Sequence, residues 1–230
     1  RLDVCAHRAA PVQVTWLGYP NTSGLTTIDY RFSDTQTEPP GEADSRSTET
    51  IWRLPNGFHA IRTPRDLPTV SAPPCLKNGY ITFGTYNNMN KLGSESIALW
   101  ADLLKRVPRS RILIKHKTLK VLNNRESLVS LFAMHGIQGW RLDLRETTAG
   151  THAHLASYGD MDIALDPLAY NGTTTSCDAL MMGVPILTLP GKTHASRVTS
   201  SLLHRMGMDG WIARDRGHFL QIGPMAAQNF

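Results

Sequence analysis

Three consecutive threonines, Thr173, Thr174 and Thr175, precede a helical segment in YNGTTTSCDALMMGVP (170–185). One Ser or Thr is enough to cap a helix, and threonine is only a middling helix former. The first amides of a helix have no partner within the helix, and the helix dipole is positive there, so this position favours an anion such as a phosphate. Gly172 would let the backbone approach that anion closely. An ordinary helix cap is the alternative interpretation.

Three further residues could complete an anion site. Asp178 lies about one helical turn after the threonines and could accept hydrogen bonds from a ribose, although a carboxylate is favourable in the first turn of any helix. Lys91, in GTYNNMNK (84–91), could neutralise a diphosphate, or it could be a surface lysine. His154, in THAHLASYGD, is by itself typical of a solvated helix residue.

The segments around these residues alternate between strands and helices. Strands are predicted over 80–86, 111–115, 140–144, 161–166, 184–190 and 210–213, and helices over 97–107, 124–135, 151–159, 173–183 and 196–206. This alternation predicts a parallel, doubly wound α/β sheet, in which ligands bind beyond the carboxyl ends of the strands. The loops that follow 80–86 and 161–166 should therefore open on the same edge of the sheet.

The first third of the chain follows a different pattern. Strands are predicted over 12–17 and 28–34, and a proline-rich stretch over 35–79 is predicted to be irregular. We therefore divide the chain into 1–75, the end of one domain with a linker, and 76–230, most of a Rossmann-like domain. The first residue is an arginine rather than a methionine, which predicts a fragment of a longer protein.

The composition is that of an ordinary globular protein, with 41% hydrophobic and 19% charged residues. The net charge of +5 comes from scattered Lys and Arg, which suits an anionic ligand better than a nucleic acid. We interpret the densest basic cluster, 105–117, as a solvated rim. No apolar run reaches membrane-spanning length. Cys5, Cys75 and Cys177 form no CxxC pair, which argues against a disulfide framework and predicts a cytoplasmic location.

Asp160 and Asp162, in DMD, match the Asp-x-Asp that binds a divalent metal in some sugar-nucleotide transferases. Asp162 opens a predicted strand whose far end points toward the ligand, so both carboxylates should lie at the wrong edge of the sheet. We therefore predict no metal. The sequence contains no P-loop, no GxSxG and no GxGxxG in the region of 183–191.

Several long segments carry a resemblance to a known family. They are APVQVTWLGYPNTSG (10–24), DYRFSD (29–34), TFGTYNNMNKL (82–92), DIALDPLAYNGTTTSCDALMMGVPILTLPG (162–191) and ASRV (195–198). Together they resemble the catalytic region of the protein O-GlcNAc transferases, the family 41 glycosyltransferases, and the plant Spindly O-fucosyltransferases almost as well. The resemblance implies a GT-B fold, in which two Rossmann-like domains hold the sugar nucleotide between them. It also implies an inverting, metal-independent transfer of a sugar to Ser or Thr hydroxyls.

The resemblance implies a role for the residues around the diphosphate. Lys91 matches the family lysine that meets the donor diphosphate, and we predict a catalytic role for it. Asn88 lies where a Gln often makes a contact with the donor, and Thr174 and Thr175 match the phosphate-binding threonine pair. Charge grows on the leaving phosphate in the transition state, so donors held at this position should stabilise it.

The resemblance also implies contacts with the rest of the donor. Asp178 matches the ribose-binding acid, and His154 matches the histidine that packs on the uracil. Thr173 occupies a position that can face the sugar. The loop beside the donor sugar is matched by Leu17, Gly18 and Pro20.

The sequence departs from the family pattern at the base. Thr151 and Ser157 stand where animal enzymes have basic residues around the uracil. The histidines of the first domain and the helical-repeat (TPR) region that recruits protein substrates lie outside this chain. We predict a UDP-GlcNAc-dependent protein O-glycosyltransferase without a cofactor. The alternatives are a GDP-fucose-dependent O-fucosyltransferase, a related enzyme with a non-protein glycan or Asn as acceptor, and a non-catalytic nucleotide-sugar-binding module.

Overall fold

The computed structural model describes residues 2–229, and its strands form two parallel sheets. The first sheet has the order β1-β2-β3, with β1 at Val14–Thr15, β2 at Tyr30–Ser33 and β3 at Thr50–Arg53. The second has the order β6-β5-β4-β7-β8, with β4 at Thr82–Thr85, β5 at Arg111–Lys115, β6 at Leu142–Arg145, β7 at Ile163–Leu165 and β8 at Ile186–Leu187. Every strand pair within these sheets is parallel, which confirms the predicted parallel α/β architecture.

Helices follow most strands of the second sheet, as the alternation predicts. Three short helices lie in the first third of the chain, α1 at Leu2–Ala6, α2 at Glu42–Ser45 and α3 at Cys75–Asn78. Six more follow, α4 at Ser94–Arg106, α5 at Leu122–Met134, α6 at Thr151–Ala156, α7 at Thr174–Met181, α8 at Val198–Arg205 and α9 at Arg216–Gln228. None of the helices in the described part of the chain is long and apolar enough to cross a membrane.

The main core lies between the second sheet and α4. The face of α4 that carries Trp100, Leu103 and Leu104 is fully buried, because its apolar residues recur at three- and four-residue steps. Phe83 of β4 and Phe219 of α9 belong to the same buried cluster. Each of these large side chains contributes about 1.5–3 kcal/mol by leaving water. The core therefore holds β4 rigidly, and with it the loop that begins after Thr85.

The structure corrects several of the predicted elements. Residues 35–79 are not wholly irregular, because β3 pairs in parallel with β2 along its whole length. Only Ile51 of its four residues is buried, so it lacks the apolar pattern of a core strand. The predicted strand at 210–213 is a short 3-10 turn, Asp209–Trp211, followed by a single parallel bridge between Ile212 and Thr188, the residue after β8. Gly183, two residues after the end of α7, has a φ of 74°, the left-handed conformation in which helices commonly end.

Candidate functional site

The threonines lie at the amino-terminus of α7, as predicted. Thr173 precedes the helix, and its side chain makes no capping hydrogen bond, so an ordinary cap does not explain it. Thr174 is exposed, and the Thr175 hydroxyl donates to Asn87 Oδ1 at 3.0 Å. Asn87 follows β4, so the loops after β4 and β7 meet at one edge of the sheet. The helix amides and the threonine hydroxyls together form a concentration of hydrogen-bond donors there.

Lys91 lies directly against the loop that leads to the threonines. Its ammonium donates to the Asn171 carbonyl oxygen at 2.7 Å and lies 4.0 Å from the centroid of the Tyr170 ring. Burial lowers the pKa of Lys91, and the charge of Asp166 opposes that effect. The Asn88 side chain accepts from the Asn90 amide at 3.0 Å, so it caps the short turn that carries Lys91.

Asp166 organises the loop between β7 and α7. It is 1% exposed and accepts hydrogen bonds from the Gly172 amide at 2.8 Å and the Thr188 hydroxyl at 2.9 Å. Burial raises the pKa of Asp166 to about 6, although these two hydrogen bonds act to lower it. Gly172 has no room for a side chain, because a Cβ atom there would stand 2.5 Å from Ser176 Oγ. Asp166 was not singled out from the sequence. Its position at the carboxyl end of a predicted parallel strand, where ligands bind in such sheets, could have identified it.

His154 and Asp178, the two residues that the resemblance assigns to the nucleoside, lie side by side. His154 Nε2 is 3.6 Å from Asp178 Oδ2. The other ring nitrogen, Nδ1, is 3.1 Å from the Lys115 ammonium. The rings of Tyr86 and Tyr158 lie beside the imidazole, with centroids 6.0 Å and 5.6 Å away. His154 is therefore held between a cation, a carboxylate and two aromatic rings, rather than lying free in solvent.

Lys115 was interpreted as part of a solvated rim, and the structure shows that this was wrong. It is the last residue of β5 and is only 3% exposed. Its ammonium donates to Ser157 Oγ and lies 3.9 Å from the centroid of the Tyr86 ring. Burial lowers the pKa of Lys115 to about 8. A cation from β5 thus reaches Ser157, a position where the family resemblance expects a basic side chain.

The loop 17–20 meets the threonines across a cavity of about 160 Å³. Leu17, Gly18 and Pro20 line one part of it, and Thr173 and Thr174 line another. Leu17 has a φ of 51°, unusual for a residue with a side chain, and the Gly18 amide donates to the Trp16 carbonyl at 2.7 Å. This tight turn presents the loop to the cavity.

The family is shown by a match along nearly the whole chain. The model of glycosyl transferase family 41 matches residues 1–63 and 62–229. The chain belongs to this family. A tomato (Solanum lycopersicum) protein named probable UDP-N-acetylglucosamine–peptide N-acetylglucosaminyltransferase SPINDLY is 40% identical over 221 residues, which cover 96% of this chain and 24% of that protein. The SEC protein of Arabidopsis thaliana, named in the same way, is 29% identical over 218 residues, covering 90% of this chain and 22% of that protein.

A solved family structure matches in three dimensions. A mutant of the O-GlcNAc transferase of Thermobaculum terrenum gives a TM-score of 0.93 at 36% identity, over 99% of this chain and 42% of that one. This likeness confirms the predicted GT-B fold. The chain spans about a quarter of the length of the curated relatives it matches.

In this family 41 chain, Asp160 and Asp162 are engaged in structural contacts. Asp162 accepts hydrogen bonds from the Cys75 amide at 2.9 Å and the Thr82 amide at 2.7 Å. Asp160 forms an ion pair with Arg145 at 2.6 Å. Both carboxylates precede β7, at the end of the strand away from the threonines. No cluster of three or more side chains suited to a metal occurs within residues 2–229.

Proposed function

We propose that this chain forms the donor-binding part of an inverting, metal-independent glycosyltransferase that moves GlcNAc from UDP-GlcNAc to Ser or Thr hydroxyls of proteins. The observation that carries the proposal is the meeting of three elements at one cavity. Lys91 packs on Tyr170, which lines that cavity together with Thr173, Thr174 and the loop 17–20. The names of the relatives, which describe transfer of N-acetylglucosamine from its UDP derivative to peptides, support the same donor.

The proposed reaction has one bond-making and one bond-breaking event. The acceptor hydroxyl oxygen attacks the anomeric carbon, and the bond from that carbon to the phosphate oxygen breaks, so its electron pair leaves with UDP. The hydroxyl proton passes to a base, for which the resemblance points to the histidines of the family's first domain.

Negative charge then grows on the leaving phosphate, where positioned donors stabilise it. Lys91 is already held in place by the Asn171 carbonyl, so it needs little reorganisation to meet that charge. The Thr174 hydroxyl and the first amides of α7 complete the set, and the Thr175 hydroxyl joins them when its single O–H turns from Asn87 Oδ1 to the phosphate. A positive side chain and a helix end thus supply what a divalent cation supplies in other transferases, while Asp160 and Asp162 are bonded elsewhere.

The nucleoside end of the proposed donor site lies at α6. His154 packs on the base and Asp178 accepts from the ribose hydroxyls in this proposal, which their separation of 3.6 Å supports. The position of Lys115 favours one specific alternative, in which the sugar donor is GDP-fucose. Lysine is a common partner of guanine O6 and N7, and this ammonium lies 3.1 Å from His154.

A binding and transfer experiment on the protein at its natural length tests the proposal. Calorimetric titration with UDP and with GDP identifies the nucleotide, and radiolabelled UDP-GlcNAc or GDP-fucose, incubated with a protein extract, identifies the sugar transferred. We expect UDP to bind more tightly and GlcNAc to be transferred. Tighter GDP binding with fucose transfer would establish the second candidate instead. Nucleotide binding with no transfer of either sugar would indicate a non-catalytic module, and binding of neither nucleotide would refute the proposal altogether.

A further inference from the structure

The cavity beside the loop 17–20 is also lined by two basic side chains that the family resemblance does not assign. Arg31 comes from β2 and is 2% exposed, and His194 comes from the turn before α8 and is 8% exposed. They lie 163 positions apart in the sequence. Polar side chains buried to this degree have defined partners, so the contacts of each one show which atoms remain for a ligand.

The contacts of His194 fix one edge of its ring. Nδ1 lies 3.1 Å from Glu38 Oε2 and 3.3 Å from Arg31 Nη1. A carboxylate only accepts hydrogen bonds and a guanidinium only donates them. Nδ1 therefore donates to Glu38 when it carries the proton and accepts from Arg31 when it does not. The ring of Phe58 packs beside the imidazole with a centroid distance of 5.0 Å. Nε2 has no hydrogen-bond partner among the described residues, so it is the ring nitrogen available to a ligand. His194 lines both this cavity and a neighbouring one of about 460 Å³.

A second set of contacts holds Glu38 and Arg31 in place. Arg31 Nη2 donates to Glu38 Oε1 and, at 2.7 Å, to Ser47 Oγ. Burial acts to raise the pKa of Glu38, but the hydrogen bond and charge of His194 and the charge of Arg31 together hold it below its usual value. Buried ion pairs are often no more stable than apolar residues of the same size. Fold stability alone is therefore a weak reason for this cluster, whereas its place beside the cavity gives it a reason in ligand binding.

We propose that His194 recognises the donor sugar, with Nε2 hydrogen-bonded to a sugar hydroxyl, and that Glu38 and Arg31 are positioning residues that orient its ring. A hydroxyl fits this place because it both donates and accepts, so it can bond to Nε2 in either tautomer. The inference rests on the proposed function and deepens it. In this proposal Lys91 and the amino-terminus of α7 bind the phosphate, whereas a residue from the loop after β8 binds the sugar.

Separate affinities for the nucleotide and for the sugar nucleotide test this assignment. In the protein at its natural length, His194→Leu should weaken binding of UDP-GlcNAc roughly tenfold, the scale of one lost hydrogen bond, and change UDP binding less than about twofold. His194→Gln, whose amide can reach the position of Nε2, should recover most of the loss. His204→Leu is the matched control, because His204 is an exposed residue of α8 that pairs with Asp209. If GDP proves to be the nucleotide, GDP and GDP-fucose replace the uridine pair.

The possible outcomes distinguish a failure of this inference from a failure of the proposed glycosyltransferase function. If His194→Leu and His194→Gln both keep the wild-type ratio of the two affinities, His194 does not contact the sugar and the assignment is wrong. Equal losses of UDP and UDP-GlcNAc would show that His194 is only structural, and would also overturn it. A wild-type protein that binds neither UDP nor GDP would instead refute the proposed function.

Discussion

Removing the ammonium of Lys91 is the most direct perturbation of the proposed leaving-group site. A lysine ammonium has three N–H donors, and in this structure one of them is engaged by the Asn171 carbonyl. The other donors are available to a phosphate. Lys91→Ala removes both the charge and these donors, while Asn171 retains a position at which water can replace the lost contact.

The magnitude follows from the half-buried position of Lys91. A hydrogen bond to a charged group contributes about 1.5–3 kcal/mol, which corresponds to a loss of roughly 10- to 150-fold in UDP affinity. Charge on the phosphate is greater in the transition state, where loss of one positioned donor costs about 2.7–4 kcal/mol. We therefore expect Lys91→Ala to lower kcat by at least ~10²-fold, more than it weakens ground-state binding.

The assay is steady-state sugar transfer by the protein at its natural length, with UDP affinity measured in parallel. Lys77→Ala is the matched control, because Lys77 is an exposed lysine of α3, before β4 and away from the threonines. Thermal unfolding of both variants separates a loss of activity from a loss of fold. Turnover by Lys91→Ala within about threefold of the wild type, with an unchanged melting temperature, would refute the role of Lys91.

Three further predictions concern the framework of the site. Burial raises the pKa of Asp166 from 3.8 to about 6, so its contribution to stability is present below pH 4 and lost as the pH rises through 6. Relative to Asp166→Asn, the unfolding free energy of the wild type should fall by about 2 kcal/mol between pH 4 and pH 7. Urea unfolding of both proteins across this pH range measures it, and an equal pH dependence of the two would contradict the prediction. Gly172→Ala should destabilise the fold by about 1–3 kcal/mol and weaken UDP binding, because the new Cβ overlaps the Thr175 hydroxyl. Gly93→Ala, with nothing within 4 Å of its Cβ, should be neutral in both measurements. Asp178→Ala should abolish a roughly tenfold preference for UDP over 2′-deoxy-UDP, because alanine offers no acceptor to the 2′-hydroxyl, and equal binding of both by the wild type would exclude that contact.

The second sheet could be predicted because its strands are short apolar runs that alternate with amphipathic helices. β5 and α4 are clear cases, since nearly every residue of β5 is buried and one face of α4 is apolar. β3 could not be predicted, because its stability comes from parallel pairing with β2, a partner that lies 20 residues earlier, rather than from its own pattern.

The candidate site likewise contains residues whose positions could be predicted from the sequence and residues whose positions could not. The position of Thr173 to Thr175 at the start of a helix, and of Lys91 in the loop after a strand, could be predicted from the sequence pattern. Their meeting at one edge follows from the rule that parallel strands end at the same edge. The burial of Lys115 could not be predicted, because a lysine in a basic segment is usually exposed to solvent. Its burial results from the packing of His154 of α6, and of Ser157 directly after that helix, over the end of β5.

The sequence by itself determined which chemical groups stand at the ends of which strands, and with them the family and the prediction that the amino-terminus of α7 binds an anion. Only the tertiary structure decided which of these groups meet. Lys115 reaches His154 across 39 positions, and Arg31 reaches His194 across 163. The physical reason is that strand and helix periodicity depends on near neighbours, whereas these contacts depend on how sheets and helices pack. In a close-packed interior, that packing fixes side chains that no local pattern brings together.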